Sequence, residues 1–298
     1  MITLADYRQA CRRGLTALSL MLCPMALAAA DAPTADAIIE AYLAGVTVEA
    51  ELAYVETVTY NLAEPDAPTR RYRLLAAMHR GGPDAFRTLL RLVRPPELEG
   101  TSLLSIVENG SSDNFLVMPE LSGARKIEGR AGTSGSFLGT DFTYEDLKRE
   151  IPGELRYAKQ GNELVNGSMC HVIRAFPTDP ERSQYQYRDL YIEHDVYLLH
   201  QIDFYYTEGE VGKTLELHGY GSDLIKGESV RPRKAVMTHH ANESVTIFTT
   251  IAGRQNADLS AETFTPDTVA AMTPEDVRQL IFANEFQIIL EPADGDED

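Results

Sequence analysis

From residue 46 to residue 251 the chain consists of short runs rich in Val, Ile, Leu, Tyr and Thr, broken by glycine, asparagine or proline. That is the pattern of short strands joined by turns. The runs predict strands at 48–61, 71–79, 86–93, 102–108, 114–118 and 124–128, and again at 155–159, 169–176, 187–193, 198–207, 213–220, 233–237 and 244–251. Asn109-Gly110 and Asn166-Gly167 are the strongest hairpin signals, because a type I′ turn needs positive φ at both central residues. Glu208-Gly209-Glu210 marks a further hairpin. Consecutive hairpins imply an antiparallel meander, and no strand and helix alternation suggests a parallel sheet. Ahead of the strands, 34–44 places Ile38, Ile39, Tyr42 and Leu43 on one helical face, with Thr34 as N-cap. Thr143-Tyr144-Glu145-Asp146 and Thr273-Pro274-Glu275-Asp276 fit capping boxes and predict short helices starting there, the second running to about Ala283. Pro95-Pro96 and 129–135 read as loops. The class is mainly β with a few helices.

The ends change the picture of what the mature chain is. Arg8, Arg12 and Arg13 give a basic front, 14–27 an apolar middle and Ala28-Ala29-Ala30 a small-residue cleavage site, so 1–30 reads as a cleavable secretory signal peptide. The expected organisation is signal peptide 1–30, one β domain over 31–290 and a disordered acidic tail at 291–298. The apolar stretch is shorter than the roughly 20 residues of a membrane span, so the mature protein is expected to be soluble and exported to the periplasm. Cys23 lies inside the signal behind the bulky Leu22, which disfavours lipoprotein processing. Loss of the signal leaves Cys170 as the one thiol, so no intramolecular disulfide forms and stability comes from packing. An apolar content of 44% is enough for a sizeable core. The formal net charge of −18 argues against nucleic acid and against electrostatic adhesion to anionic headgroups. A lipid partner would be engaged through apolar surface.

One stretch stands apart. Residues 136–147, Ser-Phe-Leu-Gly-Thr-Asp-Phe-Thr-Tyr-Glu-Asp-Leu, combine aromatics, a glycine and three carboxylates. This stretch resembles a segment of the bacterial LolA-like outer membrane lipoprotein-sorting family, often encoded beside transporters of the RND and MMPL type. The resemblance extends to 94–104, to 115–121 followed by Arg125-Lys126-Ile127, to Asp189-Leu190-Tyr191-Ile192, to 202–206 with Lys213-Thr214-Leu215, and to Phe264-Thr265-Pro266. Residues 267–298 have no counterpart in it. The resemblance implies an unclosed antiparallel β-barrel (half-barrel) around an apolar cavity covered by helices, binding a lipid or a lipoprotein acyl chain. Burying one methylene is worth roughly 0.8 kcal/mol, so a chain of about 16 carbons would gain on the order of 12 kcal/mol in such a cavity. A carrier of this kind needs no catalytic residue and no cofactor, but it does need a lid or a receiving partner for release. The partner implied is an inner-membrane RND- or MMPL-type transporter or the outer membrane. Cavity or lid positions on the motif and on apolar strands are Leu104, Phe115, Val117, Phe137, Phe142, Tyr144, Ile202 and Phe204. The same fold also occurs in periplasmic regulators that bind anti-sigma factors, so a protein-binding sensor or adaptor docking a basic partner on the acidic surface is the alternative.

Candidate chemistry points away from an enzyme. Asp141, Glu145 and Asp146 lack the spacing of a calcium loop and have no histidine nearby, which favours a capping and interaction role. Phe137, Phe142 and Tyr144 are either core packing or ligand contacts, with core packing favoured. His239 and His240 are adjacent and point to opposite faces of a strand, whereas zinc needs three or four convergent ligands. His194, His200 and His218 show no repeated ligand spacing and read as structural. There is no Gly-x-Ser-x-Gly elbow, and Cys170 sits in an apolar run, as a buried inert thiol does. Glycines at 132–139 lack the Gly-Lys-Ser/Thr ending of a phosphate loop. Tyr185, Tyr187, Tyr191, Tyr197, Tyr205, Tyr206 and Tyr220 either pair across strands or line a cavity.

Overall fold

The computed structural model describes residues 32–284 apart from 83–84, 110, 122, 128–133, 149–152, 221–224 and 227–230. The expected leader 1–30 and tail 291–298 lie outside the described residues. The first element is helix α1, Ala35–Val46, which starts where its cap was read: the Thr34 hydroxyl accepts from the Ala37 N–H at 3.2 Å. The strands follow in chain order as β1 Ala50–Asn61, β2 Glu64–Gly82, β3 Ala85–Arg94, β4 Ser102–Glu108, β5 Ser111–Val117, β6 Ala124–Ile127 and β7 Leu155–Val165. The second half holds β8 Ser168–Pro177, β9 Tyr187–Glu193, β10 Leu199–Thr207, β11 Glu210–His218, β12 Ile225–Lys226, β13 Lys234–His239 and β14 Ser244–Gln255.

These strands make one 14-stranded sheet with the order β6-β5-β4-β3-β2-β1-β14-β13-β11-β10-β9-β8-β7. Short β12 pairs in parallel with β14 off this path, and every other pairing is antiparallel. Two meanders meet where β1 pairs with β14, from Glu51 opposite Gln255 to Asn61 opposite Ser244. Among the described residues β6 pairs only with β5 and β7 only with β8, so the sheet curls without closing. The Asn166-Gly167 turn between β7 and β8 has φ of 51° and 87°, as a type I′ turn requires. β2 and β7 run well beyond the apolar runs that signalled them, because cross-strand hydrogen bonding continues through polar residues whose composition carries no strand signal. No helix of the described residues is long and apolar enough to cross a membrane.

Alternation along the strands builds two faces. On the outer face of β1 to β5, Leu52, Leu75, Leu89, Leu104 and Val117 pack against Phe264, Val269, Val277 and Ile281. The last three belong to helices α2, Pro266–Ala271, and α3, Pro274–Ala283. Val269, Val277 and Ile281, from the segment without a counterpart in the resemblance, are therefore core. Each fully buried leucine there contributes about 1.5–3 kcal/mol relative to an exposed one. Buried Arg91 fastens α2 to the sheet, donating to the Gly100 and Val269 carbonyls at 3.1 and 3.2 Å and to the Met272 carbonyl at 2.5 Å. The Thr273 capping box forms, with the Asp276 carboxylate accepting from the Thr273 N–H at 2.7 Å and the Asp276 N–H donating back to the Thr273 hydroxyl at 3.2 Å.

On the inner face α1 packs on the second meander, with Ile38 and Ile39 against Ile173, Leu190 and Ile192. The helix expected to begin at Thr143 does not form: Tyr144 to Leu147 are turns. Half of the capping box is present, the Asp146 carboxylate accepting from the Thr143 N–H, but the Thr143 hydroxyl that would accept from the Asp146 N–H accepts from Gln184 instead, and the carboxylate also holds Lys213.

Candidate functional site

The crossing from β6 to β7 carries the 136–147 stretch into the mouth of the curled sheet. A tight reversal at Leu138 and Gly139, with φ of 55° and 74°, lets the Phe137 N–H donate to the Phe142 carbonyl at 2.7 Å. Gly139 is required by its left-handed φ, and a Cβ there, 2.8 Å from Nε of Arg70, would also displace that side chain. The two phenylalanines on either side of this reversal enter different halves of the sheet. Phe137 joins Tyr72, Leu74, Leu92 and Leu103 of the first meander. Phe142 joins Tyr185, Phe204 and Met237 of the second and stacks on Phe248 at 4.3 Å. The stretch thus pins the two meanders together.

Its three carboxylates fasten it to the second meander. Asp141 accepts from Ser244 at 2.5 Å and from Thr246 at 2.8 Å on β14. Glu145 accepts from the Ser183 hydroxyl at 2.5 Å, the Gln184 N–H at 2.9 Å and Arg188 at 3.3 Å. Asp146 accepts from the Thr143 N–H at 2.7 Å, from Tyr185 at 2.6 Å and from Lys213 at 2.5 Å. Lys213 is wholly enclosed. Burial pushes its ammonium pKa down while Asp146 pulls it back up, and burial next to Asp146 drives the Tyr185 hydroxyl far above its ordinary range. Among the described residues no group of three or more His, Cys, Asp or Glu is arranged to hold a metal ion.

The stretch also divides the interior. On the side toward α1 lies a cavity of about 500 Å³. Its apolar wall comes from Ala53, Val55, Leu74, Leu90 and Leu103 of the first meander, Leu190, Ile202, Phe204, Leu215 and Phe248 of the second, and Leu43 and Val46 of α1. Tyr144, Asp146, Leu147 and Lys148 form its floor, with Arg188 beside them. At the opposite end Arg231 pairs with Glu51 at 2.8 Å, and the Tyr220 hydroxyl donates to the Leu199 carbonyl. On the other side of the stretch is a polar pocket of about 370 Å³, bordered by Arg70, Asp141, Gln184, Tyr206, His239 and Ser244 among others.

Of the positions named from sequence, Tyr144, Ile202 and Phe204 line the large cavity. Phe137 and Phe142 are buried beside it in the clusters that pin the motif. Leu104, Val117 and Phe115 lie on the outer face, packed under the C-terminal helices. The neighbour Leu103 is the β4 leucine that faces inward, one residue being enough to exchange faces. Arg188, Lys148 and Arg231 were not singled out from sequence. A charged residue near an aromatic run is an ordinary surface pattern, and only the curl of the sheet turns these inward.

The remaining candidates settle into structural roles. Cys170 is fully buried and its thiol is pushed up to about 11, chiefly by burial. His171 stacks on His194 at 3.8 Å, and both share the Asn162 side-chain oxygen at 3.0 Å. His200 contacts Glu193 at 2.8 Å, and His240 contacts Thr214 at 3.0 Å. Tyr187 and Tyr205 stack across β9 and β10 at 4.3 Å, whereas Tyr220 faces the cavity.

Comparison with known proteins places this geometry. A family model described as "Uncharacterized protein" matches residues 85–270. No curated protein matches the chain. Among solved structures, an outer membrane lipoprotein-sorting protein domain from Vibrio parahaemolyticus is 23% identical with a TM-score of 0.71, over 78% of this chain and 97% of that one. A DUF1329 family protein from Desulfovibrio piger is 18% identical with a TM-score of 0.69, over 78% and 98%. A LolA superfamily protein from Nitrosomonas europaea is 19% identical with a TM-score of 0.61, over 79% and 99%. With more than half of its length inside that family model, the chain belongs to the family it describes, and its open, helix-covered sheet is the LolA-like fold of the outer membrane lipoprotein-sorting domains.

Proposed function

We propose that this protein is a periplasmic carrier that takes up the apolar chain of a lipid, or the acyl chain of a lipoprotein, and passes it to or from an inner-membrane RND- or MMPL-type transporter or the outer membrane. The observation that carries this reading is the cavity of about 500 Å³, walled by aliphatic and aromatic side chains from both meanders. A volume of that size falls in the range of ligand sites rather than packing defects. Each methylene moved into it from water is worth roughly 0.8 kcal/mol, so uptake needs no chemistry. The carboxylates on the cavity lining are committed, Asp146 to Tyr185 and Lys213 and Glu51 to Arg231, which supports a binding role without a catalytic step. The signal-like residues 1–30 support export.

Release is assigned to α1. Its Leu43 and Val46 line the cavity, and it is held to the sheet by apolar packing of Ile38 and Ile39, so a receiving partner that displaces it opens the site. Native mass spectrometry with lipid extraction, on mature protein purified under mild conditions from its own host, tests the reading. A bound acyl or polyprenyl species is expected. A protein that is reproducibly empty, binds no added lipid and instead retains a polypeptide would replace the carrier with the protein-binding adaptor.

A further inference from the structure

The charges on the cavity wall run against the charge of the molecule. The chain as a whole carries −18, yet the charged side chains on this wall are Lys148, Arg188 and Arg231 against Glu51 and Asp146. At the α1 end Arg231 and Glu51 cancel each other at 2.8 Å. At the floor Asp146 is compensated from within the wall by Lys213 and Tyr185, and the two cations that line the floor, Arg188 and Lys148, are backed by Glu145 and Glu154 from behind it. Glu145 connects them, accepting from the Arg188 side chain at 3.3 Å and, through its carbonyl, from the Lys148 N–H at 3.3 Å.

Arg188 is the better placed of the two. Its guanidinium lies 5.6 Å from the Tyr185 ring centroid and 5.9 Å from that of Phe204, which holds its plane where the apolar wall ends. Glu145 receives two shorter bonds from neutral donors, Ser183 and Gln184, so it stays satisfied when Arg188 also serves another acceptor. A guanidinium has five N–H donors, and its fork matches a carboxylate. Lys148 is held by both oxygens of Glu154 at 2.8 Å and is committed to that pair, so it offers no second fork. A neutral acyl chain packed down to this floor would strip water from the Arg188 N–H groups that Glu145 does not take and offer them no acceptor, which is costly.

We infer that the ligand is a long-chain amphiphile with an anionic head of the carboxylate type, the head held at Arg188 with Lys148 nearby and the chain running past Ile202 and Leu190 toward α1. The inference rests on the carrier reading and narrows it: a free acid is preferred over the ester- or amide-linked chain of a lipoprotein.

The experiment compares hexadecanoate with methyl hexadecanoate, titrated at neutral pH into delipidated mature protein. Hexadecanoate is expected to bind at least about tenfold more tightly, the scale of one charge-assisted contact. Arg188→Gln is expected to bring the two ligands within about twofold of each other, while Arg231→Gln at the opposite end keeps the preference. If Arg188→Gln does not fold, Arg188→Lys keeps the charge, loses the fork and should retain only part of the preference. Equal affinity for acid and ester in the unaltered protein overturns the inference and leaves the carrier standing. Binding of neither ligand overturns the carrier reading itself.

Discussion

Leu103 and Leu104 are adjacent on β4, chemically identical and almost equally buried, at 5% and 0% exposure. Leu103 faces a cavity, and Leu104 packs in the core under the C-terminal helices. The contrast holds for the whole first meander. Its outer face is covered by Phe264, Val269, Val277 and Ile281, whereas its inner face is packed at one end by the 136–147 stretch, Leu98 and Phe248 and elsewhere borders the cavity. A protein that needed stability alone would fill both faces. Here one face supplies the stability that allows the other to remain open.

The floor between the faces should be the most sensitive point. Lys213→Met removes one partner of an enclosed pair and leaves Asp146 charged and desolvated, so a loss of about 3–5 kcal/mol is expected in chemical denaturation. A change under about 1 kcal/mol would mean that the pair does not brace the floor. Next come the two leucines. Leu104→Ala should cost about 2–5 kcal/mol with the affinity for an apolar chain unchanged. Leu103→Ala enlarges a space that already exists, so it should cost less stability and weaken chain binding. If the two variants behave alike in both measurements, the distinction between the faces is wrong.

Acid should loosen the inner side first. Burial, with help from His194 and Lys159, lowers His171 from 6.5 to about 4, and His171 lies two residues before Ile173, which packs under α1. The folded state therefore holds this ring neutral while the unfolded chain takes up a proton more readily. Its contribution is complete above about pH 6.5 and is lost as the pH falls toward about 4. His171→Phe should flatten that limb of a stability profile against pH, and an unchanged limb would assign the acid sensitivity elsewhere. The smallest effect expected is at the covering helix. Thr34→Ala removes the cap of α1 and should cost about 1 kcal/mol, seen as faster amide exchange in its first turn, with the outer face unaffected.

The local pieces were legible in the residues alone. Alternating apolar runs marked the strands, Asn166-Gly167 marked a turn, and Thr34 and Thr273 marked the starts of helices, because each depends on the φ, ψ and hydrogen-bonding needs of a few neighbouring residues. The 136–147 resemblance carried the fold. What tertiary structure alone decided is which side of each strand faces inward and where the charges end up. Both faces of the first meander are apolar, so period-two alternation cannot distinguish the cavity wall from the outer core, and Leu104 was named where Leu103 faces in. Thr143 and Asp146 make one half of the box but no helix: Gln184, 41 residues away, takes the Thr143 hydroxyl, and Lys213, 67 residues away, binds the Asp146 carboxylate. Asp141 likewise finds its partner 105 residues away, at Thr246. Such pairings are fixed by the curl of the sheet and by the cost of leaving a buried charge unpaired, and neither is written in any short stretch of chain.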